Sequence, residues 1–201
     1  VYEVVFPLDD IDGTLRSSDC NYGNDPTNAG DIAGKDSYIP HVSEGIDVEA
    51  RNEFLCQASD NNGGNDLLEP QTAIIHAMAL NADDAELVRA AGAKVIWSPR
   101  TNIDLYGNTA PVTLYHTMGI PIALGTDWTV SGSMNLLREL KCADEFNDRN
   151  LGGFFTDYEM WRMVTGMGAV TAHMGELIGS LGPGKVADIA IFNGATNADY
   201  R

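Results

Sequence analysis

Apolar positions fall into short runs separated by polar segments with a helical period. VYEVVFPL (1–8) is β-branched and aromatic, is closed by Pro7, and reads as a strand. Residues 9–37 are rich in Asp, Asn, Gly and Ser and carry no sustained period, which predicts a functional loop or disorder. From residue 38 the pattern becomes regular. YIPHV (38–42), QTAIIHAMAL (71–80), AKVIWSP (93–99), IPIALGTD (120–127) and GKVADIAIF (184–192) are strand candidates. Helices are predicted between them over 46–58, 81–92, 110–119 and 133–147, and another after TDYE (156–159), which has the capping-box pattern. Asn81 is a suitable N-cap, with acids in the turn behind it and Gly92 at the far end.

Apolar strands alternating with helices, at roughly 20–35 residues per unit, predict a parallel α/β architecture. In barrels and open sheets alike, ligands gather at the C-terminal ends of such strands. The residues ending each run are therefore the ones to inspect: His41 with Glu44, His76, Ser98 to Asn102, and Asp127.

Composition narrows this picture. The formal charge of −17 opposes nucleic acid or an anionic membrane as partner. No apolar run approaches the ~18 residues that span a bilayer. Cys20, Cys56 and Cys142 are odd in number and far apart, which predicts free thiols. A cytoplasmic location is the corresponding expectation.

His41, His76 and Asp127 end different strands, so a barrel would bring them to one mouth. Imidazole and carboxylate are ligands for Zn²⁺ and, with open positions, for Fe²⁺. Such an ion lowers the pKa of a bound water towards ~7. Glu44, just beyond His41, is placed to move that water's proton. His116 and His173, inside predicted helices, are read as structural, and Asp83, Asp84, Asp144 and Glu145 as solvated helix faces.

The ordered set PHVSEG, AIIHAMAL, VIWSPRTN, IALGTDW and GSLGPGKVADIAIF, spanning about residues 38–193, resembles the second half of the amidohydrolase superfamily. Its cytosine-deaminase and chlorohydrolase-like branch is the nearest. The resemblance implies the C-terminal half, about strands 5 to 8, of a (β/α)8 barrel. It implies a partial barrel over 38–180, preceded by an incomplete strand and polar loop (1–37) and followed by a return strand into a small β-domain (181–201). It further implies hydrolysis of a C–N bond, by amide cleavage or deamination, with one divalent ion, Zn or Fe. By this resemblance His41 and Asp127 are metal ligands, Glu44 the general acid/base, and His76 the residue that orients water or polarises substrate. Asp127 also helps deprotonate the water, while Arg100, Asn102 and Trp128 line the pocket for a small-molecule substrate. The HxxE form resembles the mononuclear branch, and Lys35 is the only lysine before His41.

One part of the family pattern is missing. The HxH pair that ends its first strand has no counterpart, because His41 is the first histidine. The expectation is a fragment completed by a missing N-terminal half or second chain, or a homo-oligomer through open edges, with weak metal binding and little activity alone. Two rival readings remain. One is a truncated relative that binds a small molecule or partner without catalysis. The other is a haloacid dehalogenase-like phosphatase, since DIDGTL (10–15) resembles that family's first motif, with Asp10 as nucleophile and Asp12 as acid/base.

Overall fold

A computed structural model describes residues 1–192. Its five strands are β1 (Tyr2–Val4), β2 (Tyr38–Val42), β3 (Ala73–His76), β4 (Lys94–Trp97) and β5 (Ile122–Leu124). The helices are α1 (Ala29–Ile32), α2 (Val48–Gln57), α3 (Ala82–Ala91), α4 (Pro99–Tyr106), α5 (Val112–Thr117), α6 (Leu136–Asn150), α7 (Asp157–Met163) and α8 (Gly166–Thr171).

All strands are parallel and pair in chain order, β1-β2-β3-β4-β5, without reversal. This order describes an arc of a barrel. A doubly wound sheet would reverse direction at a switch point. β1 and β5 are its two edges among the described residues. The core lies between sheet and helices, where Val42, Ile74, Val95 and Ile122 meet Phe54, Trp97, Tyr115 and Phe155.

Local chemistry explains the boundaries. Asn81 accepts hydrogen bonds from the N–H groups of Asp83 and Asp84 and completes a capping box with Asp84. Gly92, at φ +70°, closes α3 in the left-handed region that glycine tolerates. Asp84 is not on a solvated face: it is buried and accepts two hydrogen bonds from Arg51, at 2.7 and 2.9 Å, which tie α2 to α3. A buried carboxylate needs such a bidentate partner.

Other expectations are corrected. β3 is shorter than the apolar run 71–80, because His76 and Ala77 adopt φ +75° and +49° and turn the chain off the sheet. Residues 184–192 form no strand among the described residues, and Val186, Ile189 and Ile191 are exposed. The rest of the expected return to a β-domain, 193–201, lies outside the described residues. α4 has Pro99 in its first turn, where the missing N–H costs nothing. His173 follows α8 and lies 2.8 Å from Lys94 Nζ.

The polar stretch 9–37 is packed. Leu8, Tyr22 and Cys56 form a buried cluster, the Asp9 carboxylate accepts from the N–H groups of Asn24 and Asp25, and Asn28 caps α1. The largest departure from expectation is covalent: Cys20 and Cys56 form a disulfide, and Cys142 alone is free. Parity and spacing miss the pair because the segment folds back on α2, which brings residues 36 apart in sequence into contact. Closing a loop of that length contributes about 3–4 kcal/mol in the chain-entropy account. Urea denaturation of a Cys20→Ser/Cys56→Ser double variant is expected to show a loss of about 3 kcal/mol. An unchanged midpoint would mean that the bridge constrains nothing.

Candidate metal centre

The parallel order brings the C-terminal ends of β2, β3 and β5 to one edge, and the inspected side chains meet there. His41, His76 and Asp127 each offer a ligand atom, all within 4.8 Å of one another. His41 Nε2 lies 3.8 Å from Asp127 Oδ1, and the two imidazole rings are 5.3 Å apart between centroids. Glu44 stands beside them, with Oε2 3.4 Å from His76 Nε2.

Holding these groups together bends the backbone. Ser43, His76, Ala77 and Asp127 all have φ between 49° and 75°. That region is uncommon for residues other than glycine, and strain of this kind persists where the surroundings over-determine it. Here they do: Ala77 N–H donates to the Val42 carbonyl, Met78 N–H to the Ser43 carbonyl, Ala79 N–H to Ser43 Oγ, and the Tyr115 hydroxyl to the Ala77 carbonyl.

The two imidazoles are held differently. His41 Nδ1 faces the Val4 carbonyl at 3.4 Å. A carbonyl only accepts, so Nδ1 donates and Nε2 presents a lone pair to the site in the neutral ring. Such an arrangement is typical of a metal-bound histidine. His76 is fully buried, its Nδ1 lies 3.1 Å from Asn102 Nδ2, and its Nε2 has no hydrogen-bond partner among the described residues. A buried polar atom left open towards a cluster of ligands fits a site that receives something more.

Charges are shifted accordingly. Burial lowers His76 to about 4, so it is neutral near pH 7. Burial pushes His41 down, but the Asp127 carboxylate and the Val4 carbonyl more than reverse this. Burial also pushes Asp127 up, yet the adjacent His41, the nearby His76 and the Thr101 hydroxyl hold it below the usual carboxylate range. Glu44 is raised by burial and by Asp127, with Tyr106 hydrogen-bonded to it. A carboxyl raised in this way keeps its proton to a higher pH than an exposed one, as a group that moves protons must. Imidazole and carboxylate together are a Zn²⁺-type donor set, and the residues present fit one such ion in part: zinc usually takes four ligands.

The remaining expected residues are placed around this centre. Asn102 is buried behind His76, with its amide engaged by His76 and Thr109. Arg100 turns towards the start of α6, where its Nε donates to Ser133 Oγ, ahead of the helix, and its backbone N–H to the buried Glu139 within it. Trp128 is largely exposed, with its indole N–H given to Ser131. Sequence reasoning reached Thr101 only within the run Ser98 to Asn102 and missed Tyr106 and Glu53. Thr101 and Tyr106 share α4 with Asn102, so one short helix sends hydrogen bonds to Asp127, Glu44 and His76. Asp10 and Asp12 lie on turns after β1, half-buried and exposed respectively.

The model of the amidohydrolase family matches residues 47–200. A 5-methylthioadenosine/S-adenosylhomocysteine deaminase of Teredinibacter turnerae is 33% identical over 126 residues, which are 61% of this chain and 28% of that protein. Among solved structures, a Xanthomonas campestris adenosine deaminase with bound zinc superposes with a TM-score of 0.63 at 20% identity, over 76% of this chain and 36% of the other. A zinc complex of an Arthrobacter aurescens atrazine chlorohydrolase gives 0.61 at 20% identity, over 78% and 36%. The chain thus spans about a third of the length of these relatives.

Glu53 provides a test of the electrostatics behind the site. Burial, with Asp10 and Glu44 nearby, raises its carboxyl to about 7, while Ser43 N–H donates to it at 3.0 Å. The folded chain then holds this proton over a range where the unfolded chain has released it. Stability therefore falls as pH rises from the unfolded value near 4.5 to about 7. Glu53→Gln is expected to match the parent at pH 4.5 and exceed it by roughly 1–3 kcal/mol at pH 8. Urea midpoints at the two pH values check this, and a parallel pH dependence in both proteins would refute it.

Proposed function

Because the chain belongs to the amidohydrolase family, we propose that it supplies part of the active site of a metal-dependent hydrolase acting on C–N bonds. The observation that carries this reading is the convergence of His41, His76, Asp127 and Glu44 at one edge of the sheet. His41 Nε2 and the Asp127 carboxylate hold one divalent ion, zinc or iron. That ion supplies Lewis acidity and a more acidic water near neutral pH. Glu44 takes a proton from the attacking water and returns it to the departing nitrogen, and His76 Nε2 faces the developing negative charge as a donor. Asp127, beside the water, assists its deprotonation.

The deaminases among the relatives favour deamination over amide cleavage, with a purine nucleoside such as 5′-methylthioadenosine as the substrate class. Water adds at the ring carbon, and ammonia leaves as the carbonyl forms. Trp128 borders the mouth, whereas Arg100 and Asn102 hold it from behind. Both edge strands, β1 and β5, have one sheet neighbour among the described residues, and Trp128, Val130 and Met134 are exposed beyond β5. Barrel strands from residues other than these 201, in the same polypeptide or a second chain, cover those edges and bring the remaining metal ligands. Among the described residues no helix is long and apolar enough to cross a membrane. A persistent Cys20–Cys56 bridge fits an oxidising compartment, whereas a cytoplasmic location requires both thiols reduced.

The phosphatase reading of Asp10 and Asp12 is set aside, since the family match belongs to a different fold. A binding protein without catalysis is the alternative reading. Metal binding and turnover separate the alternatives. Zinc titration of the chain is expected to show weak binding that falls at least tenfold in His41→Ala/Asp127→Ala, since each ligand contributes directly. Equal binding by both proteins would refute the site. With the complementary strands supplied, loss of the 5′-methylthioadenosine absorbance should appear, and Glu44→Gln should reduce it by about 10²–10⁴-fold while retaining zinc. Zinc binding without turnover would favour the binding protein.

A further inference from the structure

One polar contact chain starts outside the site and ends on it. Trp97, at the end of β4, is fully buried, and its indole nitrogen donates to Thr109 Oγ1 at 2.7 Å. Thr109 Oγ1 donates to Asn102 Oδ1 at 3.2 Å, and Asn102 Nδ2 faces His76 Nδ1 at 3.1 Å. Each link has a direction. An indole N–H only donates, so the threonine oxygen accepts there, and the acceptor for its own hydrogen is Asn102 Oδ1. The amide must meet that hydrogen with its oxygen, which leaves its NH₂ pointing at His76. A ring nitrogen facing a donor can only accept.

We propose that Trp97, Thr109 and Asn102 are positioning residues that fix His76 as the Nε2–H tautomer, so that it faces the site as a hydrogen-bond donor. The opposite tautomer would set two N–H groups against each other at 3.1 Å in a buried place. Turning the Asn102 amide would leave the Thr109 hydroxyl hydrogen without its acceptor. His41 is biased the other way by the Val4 carbonyl. Two imidazoles with centroids 5.3 Å apart thereby acquire different capacities, one with a lone pair for a cation and one with a proton for an oxygen. His76 then lies close enough to be counted with the ligands yet is held out of that role.

A parallel chain reaches Asp127. Trp128 donates to Ser131 Oγ at 2.6 Å, Ser131 to Thr101 Oγ1 at 3.2 Å, and Thr101 hydrogen-bonds the carboxylate. Its first donor is again an indole, so its polarity also runs inward. This chain delivers a proton donor to an acceptor that has no tautomer to choose, so the choice made at His76 is the informative one.

The assignment rests on the reading of His76 given above only for its use in catalysis. Its test needs neither metal nor substrate, so its failure and the failure of that reading are separate results. The full chain, labelled with ¹⁵N-histidine and stripped of metal by a chelator, is observed at pH 7.5 by long-range ¹H–¹⁵N correlation. His76 is identified by the signals lost in His76→Asn. The expected result is an Nε2–H form in roughly tenfold excess or more, about the worth of one buried hydrogen bond. Thr109→Val should shrink that excess several-fold, Thr109→Ser should preserve it, and Asn102→Asp should invert it to Nδ1–H. A wild-type ring protonated on Nδ1 or on both nitrogens overturns the proposal. So does a Thr109→Val ring with the excess intact. If Asn102→Asp does not fold, the valine and serine variants decide.

Discussion

Everything at the site depends on the parallel hydrogen-bonded register of β2, β3, β4 and β5. His41 pairs with Ile75 and Val42 with His76, so the two imidazoles leave the sheet at nearly the same height. Trp97 pairs with Leu124, which places the starts of α4 and of the Asp127 turn side by side. A slip of one residue in any pair would send alternate side chains to the opposite face and scatter the cluster. Register is in turn secured by the apolar residues beneath it, since Ile74, Val95 and Ile122 have no other place to be buried.

On that frame the site gathers charge that water would otherwise dilute. Two carboxylates and two imidazoles share a partly buried edge, and each alters its neighbours. Desolvation alone would drive all four neutral, yet the His41–Asp127 contact keeps one pair polarised while His76 stays uncharged. α4 is the element that keeps this arrangement in order. Thr101, Asn102 and Tyr106 lie on one helix of eight residues, and each reaches a different group. The left-handed backbone at His76, Ala77 and Asp127 shows what bringing the side chains together costs.

Much of this was legible in the sequence. Apolar and β-branched runs located all five strands, and Asn81 and Thr156 marked helix starts through side-chain chemistry that acts within three residues. His41, Glu44, His76 and Asp127 stood out because strand ends of a parallel sheet share an edge whatever the details of packing. What stayed hidden depends on contacts between distant residues. Nothing near Asp84 announces Arg51, and nothing near Glu53 announces that Asp10 and Glu44 will crowd it. The run 184–192 misled for the opposite reason: its composition suits a strand, but a strand exists only when another accepts its hydrogen bonds.

The disulfide has a consequence for the integrity of the chain. Cys20 and Cys56 close a covalent ring that contains the whole of β2 with His41, and Glu44 two residues beyond its end. A protease that cuts the exposed stretch between Cys20 and β2 opens the ring without releasing a fragment, because the bridge still joins the two products. The nicked molecule keeps its mass until a reductant arrives, and only then can β1 and the segment behind it depart. The segment bearing these two residues is thus insured against one cut by a bond lying well outside the metal centre.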